Sequence, residues 1–160
     1  METLLPAAHR IADLLRASRT KIAVAESSAG GLISAALLAV PGASAYFLGG
    51  VVVYTRVSRN LLLHLSDEAL SSVPPNSEGM AALMAGAVRE RFACDWGLAE
   101  TGAAGPSGNR YGHPSGRGCF AVSGSLSASV TLDTAIDDRA ENMRRFAAAA
   151  LDLFERALRA

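Results

Sequence analysis

The feature that most constrains this chain is an alternation: helical stretches with one apolar face are separated by short apolar runs. Those runs end in clusters of Gly, Ser or Thr. Leu4, Leu5, Ile11, Leu14 and Leu15 recur near helical spacing, which predicts an amphipathic helix from about 4 to 18. Lys21 to Ala25 is a short apolar run with a β-branched pair and reads as a buried strand. Leu32 to Val40 reads as a helix stopped by Pro41-Gly42. Val51 to Tyr54 is a strong strand signal preceded by Gly49-Gly50, and residues 57–72 read as short helical pieces. After Pro74-Pro75, Asn76 or Ser77 is placed to cap a helix running through Met80, Leu83, Met84, Val88 and Phe92. Trp96 to Glu100 reads as a strand, and Cys119–Val122 with Ala128–Leu132 as a strand pair turning at Gly124-Ser125. A last helix is expected from about Asp138 to Leu158.

Helices interleaved with apolar strands, followed by two adjacent strands, predict an α/β layered fold with a mixed sheet. Sheets of this kind put ligand sites beyond the carboxyl ends of their strands. Three predicted strand ends carry polar or glycine-rich segments: Glu26-Ser27, Tyr54-Thr55, and Thr101-Gly102 onward.

At 160 residues, with half of them hydrophobic and 19% charged, the chain has the length of one domain, expected to span 1–160. Fifteen basic residues balance fifteen acidic ones, which argues against nucleic acid as a partner. Cys94 and Cys119 are too few for a disulfide scaffold or a zinc cluster and read as small core residues. No run approaches about 18 apolar residues and no signal-peptide pattern opens the chain. The expectation is a cytoplasmic domain without a membrane partner. Of the fifteen basic residues only Lys21 is a lysine.

Ser27 and Ser28 lie between a strand and a helix. They read either as a helix cap or, with Gly30 and Gly31, as part of an anion site at free amides. Thr101 to Gly108 has neither the P-loop ending nor the dinucleotide spacing. It reads as a flexible loop or as backbone that faces a ligand. Ser44, Tyr46 and Tyr54 surround Gly49-Gly50, and no Ser-His-acid triad can be assembled from His9, His64 or His113.

Three motifs occur in order: Ala25-Glu-Ser-Ser-Ala-Gly-Gly31, Pro41 to Phe47 followed by Gly49 to Tyr54, and Thr101-Gly-Ala-Ala-Gly-Pro106. Together with Pro114-Ser-Gly116 and Asp138-Arg139, they closely resemble the CinA C-terminal domain family, over about residues 4–158. The resemblance implies a three-layer α/β/α domain, often a homo-oligomer, that hydrolyses the carboxamide of nicotinamide mononucleotide. It implies no cofactor and no metal. It makes Ser44 the attacking hydroxyl, Tyr54 its assistant, and position 59 the place of a lysine base. It puts Ser27, Thr101, Gly102 and Gly105 in the substrate pocket, with Arg139 on the phosphate.

This sequence departs from that pattern at its most demanding position. Arg59 stands where the family carries the lysine, Ser28 and Ala29 replace a Cys-Thr pair, and Ala43 replaces a serine. A buried lysine can be neutral and accept a proton, whereas guanidinium stays charged to above about pH 12. A proton-transfer partner contributes about 10²–10⁴-fold in rate. Two expectations follow: a hydrolase with another base, for which Tyr54 activated by Arg59 is a candidate, or a nucleotide-binding module without turnover.

Overall fold

The computed structural model describes residues 1–109 and 112–160. Helix α1 (Leu5–Ser18) follows a 3₁₀ turn at Glu2–Leu4, and β1 (Ile22–Glu26) follows α1. Next come α2 (Leu32–Leu38), a 3₁₀ turn at Ala43–Ala45, and β2 (Phe47–Val52). Two short helices, α3 (Arg56–Leu63) and α4 (Asp67–Ser71), precede the long α5 (Glu78–Phe92). The chain then forms β3 (Trp96–Ala103), β4 (Arg117–Ser123), β5 (Ala128–Asp133) and α6 (Arg139–Arg159).

The five strands lie in the order β2-β1-β3-β4-β5. β1 is parallel to both β2 and β3, while β4 and β5 extend the sheet antiparallel. One face is covered by α1, α2 and α6 through a core that includes Ile11, Leu15, Ile33, Leu98, Phe120, Phe146 and Phe154. The other face meets α5 across Ala23, Ala25, Ala99 and Ala121, which pack under Met80, Met84 and Val88. The result is the expected three-layer α/β/α arrangement with a mixed sheet.

The two faces differ in side-chain size for a physical reason. Helix α5 runs so close to β3 that a Cβ at Gly97 would stand 2.0 Å from the carbonyl oxygen of Ala85. Small residues on that face allow the approach, and the larger side chains fill the wider gap opposite. Ser77, rather than Asn76, caps α5: its hydroxyl accepts the Met80 amide at 3.1 Å. That cap satisfies one of the donors a helix start leaves open.

Two strand boundaries differ from the sequence reading. Gly49-Gly50 lie inside β2, not before it, and Val53 and Tyr54 lie beyond its end. Their missing side chains make room for neighbours: a Cβ at Gly49 would be 2.6 Å from the Phe92 ring, and one at Gly50 would be 2.2 Å from the Ser34 hydroxyl. β3 continues through Thr101, Gly102 and Ala103, so the start of the glycine-rich segment is held in strand pairing.

Candidate functional site

In the parallel part of the sheet, residues after a strand emerge at one end and residues before a strand lie at the other. Ser27 follows β1, Tyr54 follows β2 and Thr101 lies near the end of β3, so all three reach the carboxyl edge. Helix α3 begins there too, with Thr55 capping it through its hydroxyl, which accepts the Ser58 amide. Arg59 sits on the first turns of α3, and Arg139 opens α6 at the same edge.

Ser27, Tyr54, Thr55, Arg59 and Arg139 border a two-lobed cleft. A lobe of about 580 Å³ is lined by Ser27, Tyr54, Arg59 and Asn76, among others, and one of about 230 Å³ by Ser28, Gly105, Ser107 and Arg139. Tyr54, Gly102 and Asn109 border both lobes. The larger volume lies within the range of small-molecule sites.

In the larger lobe one guanidinium organises two hydroxyls. Arg59 Nη2 donates to Ser27 Oγ and to Thr101 Oγ1, each at 3.4 Å, and Nε donates to the Val53 carbonyl at 3.3 Å. Thr101, fully buried, donates its hydroxyl to Asn76 Oδ1 at 3.0 Å. Asn76 is itself buried and adopts a left-handed backbone with φ of 48°. In the sequence Asn76 reads only as a possible cap. An asparagine directly before a capping serine is the type of residue that tolerates this conformation, which was the one available signal.

In the smaller lobe Arg139 Nη1 donates to the Gly105 carbonyl at 2.7 Å, and Nη2 to the Tyr54 hydroxyl at 3.3 Å. Its guanidinium lies 6.0 Å from the centre of the Tyr54 ring. Tyr54 is therefore engaged by Arg139, and among the hydrogen bonds of the described residues Arg59 reaches Val53, Ser27 and Thr101 rather than the Tyr54 hydroxyl.

The segment between β1 and α2 is built on two buried carboxylates. Glu26 accepts the amides of Gly31, Ile33 and Ser34 at 2.8–3.0 Å and the Ser34 hydroxyl at 2.6 Å. Glu100 accepts the amides of Ser27 at 2.9 Å and Ala29 at 2.8 Å through Oε2, and the Ser28 hydroxyl through Oε1. Both sequence readings of Ser27 and Ser28 are corrected by this. Gly31, not a serine, stands at the cap of α2, and the amides expected to face an anion are taken by the protein's own carboxylates. Gly30 and Gly31, with φ of 67° and 99°, supply the backbone turn between the two carboxylate cradles.

Of the residues assigned a role from sequence, Ser27, Tyr54, Arg59, Gly102 and Arg139 line this cleft, as does Gly105, and Thr101 is bonded to Arg59. Ser44 is not with them. It is exposed in the 3₁₀ turn before β2, whose first residue Phe47 pairs with Ile22 while Val52 pairs with Glu26. Five residue steps at about 3.3 Å put roughly 17 Å between the two ends of β2. A parallel crossover returns the chain to the amino edge of the sheet, so a serine between α2 and β2 cannot reach the carboxyl edge.

Among the described residues no three His, Cys, Asp or Glu side chains gather as a metal site, and no helix is long and apolar enough to cross a membrane. Fold and cleft together define a three-layer α/β domain with a cleft across the carboxyl ends of β1, β2 and β3. Residues 5–158 match the CinA C-terminal domain, and the chain belongs to that family. A CinA-like protein of Synechococcus sp. (strain CC9902) is 43% identical over 111 residues, 69% of this chain and 26% of that protein. One from Chloroherpeton thalassium is 36% identical over 162 residues, 99% of this chain and 39% of that protein. The chain thus spans about a quarter to two-fifths of the length of these curated relatives. The crystal structure of a competence/damage inducible protein from Agrobacterium tumefaciens superposes with a TM-score of 0.86 at 28% identity, covering 98% of this chain and 96% of that one. A CinA superfamily protein from Klebsiella pneumoniae superposes at 0.90 and 24% identity, covering 98% of both chains, a likeness of fold.

Proposed function

We propose that the cleft binds a pyridine mononucleotide and hydrolyses its carboxamide, converting nicotinamide mononucleotide to nicotinic acid mononucleotide and ammonia. One observation supports this most: the cleft holds a guanidinium at each end, Arg59 among hydroxyls and Arg139 on the glycine-rich segment. The planar fork of Arg139 suits a phosphate. Arg59 and Ser27 present donors to an amide oxygen, and a fixed cation there favours the negative charge that grows on that oxygen during attack. Tyr54 borders both lobes and offers an aromatic face to the ring between the two ends.

The test is ammonia release from nicotinamide mononucleotide by the purified protein. Release that saturates with substrate, and whose KM rises about tenfold or more in Arg139→Ala, is the expected outcome. A second reading, a binding module without turnover, draws on the fact that the group touching the Ser27 hydroxyl is a guanidinium, which takes no proton. It predicts saturable nucleotide binding with no ammonia at any enzyme concentration, and that result would replace the first reading.

A further inference from the structure

Glu100 plays no part in the reading above, yet it is the least expected side chain at the site. It is a fully buried carboxylate in β3, next to Thr101 and on the opposite face of the sheet. Among the described residues its hydrogen-bond partners are Ser27, Ser28 and Ala29, none of them an arginine, lysine or histidine. An ionised carboxylate is costly to bury without a cation, and an uncharged side chain could tether the loop through its two amides. Position 100 holds a group that can gain and lose a proton.

Its Oε1 accepts the hydroxyl of Ser28, and Ser28 lines the smaller lobe. The hydroxyl stands where the two lobes meet: Gly102 borders both, and a Cβ there would lie 3.0 Å from Ser28 Oγ. A hydroxyl hydrogen-bonded to a carboxylate at a cleft wall is the geometry of a nucleophile with its base. Ser27, by contrast, accepts a hydrogen bond from the Arg59 guanidinium and, among the described residues, has no acceptor of this kind.

We propose that Ser28 and Glu100 are the nucleophile and general base of this cleft. The inference rests on the amide-hydrolysis reading. Ser28 Oγ attacks the carboxamide carbon while its proton passes to Glu100 Oε1. The C–N bond breaks, and the nitrogen leaves as ammonia with that proton. Water attacks the resulting Ser28 ester, giving a proton to Glu100 and its oxygen to the acid, and the proton returns to Ser28 as the ester bond breaks. Arg59 stays protonated throughout.

The surroundings suit Glu100 to the task. Burial pushes its carboxyl above the usual carboxylate range, and the neighbouring charge of Glu26 pushes the same way, against the hydrogen bonds from Ser28, Ala29 and Ser27. On this face α6 packs with Asn142, Met143 and Phe146, and α2 with Ile33 and Ala36, none of them ionisable.

The experiment uses the purified full chain with phenylmethanesulfonyl fluoride, followed by peptide mass spectrometry. A single sulfonyl adduct on Ser28 is expected, absent from Ser28→Ala and formed at least tenfold more slowly in Glu100→Gln. In parallel, Ser28→Ala should lower kcat for ammonia release at least 10²-fold while calorimetric binding of nicotinamide mononucleotide changes less than threefold. Glu100→Asp keeps a carboxyl should the glutamine variant fail to fold, and it should react more slowly than the parent with a displaced pH profile. An adduct on another serine, no adduct, or Ser28→Ala with kcat within threefold of the parent overturns the proposal. If the parent protein releases no ammonia, the hydrolysis reading itself has failed, and the adduct alone decides whether Ser28 is activated.

Discussion

Arg59 shows how one side chain sets the chemistry around it. Its guanidinium holds Ser27 and Thr101 as acceptors, and Thr101 donates its hydroxyl to Asn76, so the three polar groups have their orientation fixed from one cation. Arg59 stood out only through the family resemblance, whereas Ser27, Tyr54 and Thr101 were legible at strand ends because each follows or closes an apolar run. Asn76 and Glu100 were not, because nothing in local sequence marks a polar residue as buried when its partners are 25 and 72 positions away. Thr101→Val keeps the volume of a fully buried residue and removes both of its bonds. Leaving Asn76 Oδ1 unpaired should cost about 1–3 kcal/mol, read as a lower urea midpoint with an unchanged m-value.

Among the elements, the sheet decides which motif meets which. The family resemblance made Ser44 in Pro41-Gly-Ala-Ser44 the attacking hydroxyl, but the direction of the strands assigns it to the opposite edge from the cleft. Every connection from a helix into a parallel strand lands at the amino edge, and that rule was available from the α/β pattern alone. Strand limits were harder to read, because Gly49-Gly50 look like a break when viewed locally and prove to be sites of close packing against Phe92 and Ser34. The same logic governs Gly97, where β3 and α5 nearly touch. Gly97→Ala places a methyl 2.0 Å from the Ala85 carbonyl oxygen, which backbone cannot yield without moving α5. A loss of about 1–3 kcal/mol is expected, seen as a fall in Tm by calorimetry.

Across the whole molecule, α1 and α6 are joined by an ion-pair network in which Glu155 receives both Arg10 and Arg159. Hydrogen bonding to Arg10 is the main reason its carboxyl falls to about 2, with Arg159 adding to it. A folded-state value below the unfolded one means that this contribution is complete above the unfolded value. It is lost as pH falls toward about 2. Glu155→Gln should therefore lower stability near neutral pH by about 1 kcal/mol and by less as the acid range is entered, measured by urea unfolding across pH.

The layered fold was legible throughout because it follows from periodicity and turn residues. The cleft was legible as three strand ends, while its carboxylate cradles had to be seen in three dimensions. The most direct test of where this molecule does its work is a crystal structure with nicotinic acid mononucleotide bound. The phosphate should lie on Arg139 beside Gly105, and the ring carboxylate between Arg59 and Ser28. A nucleotide seated instead at the amino edge of the sheet near Ser44, or none bound at millimolar concentration, would contradict the account.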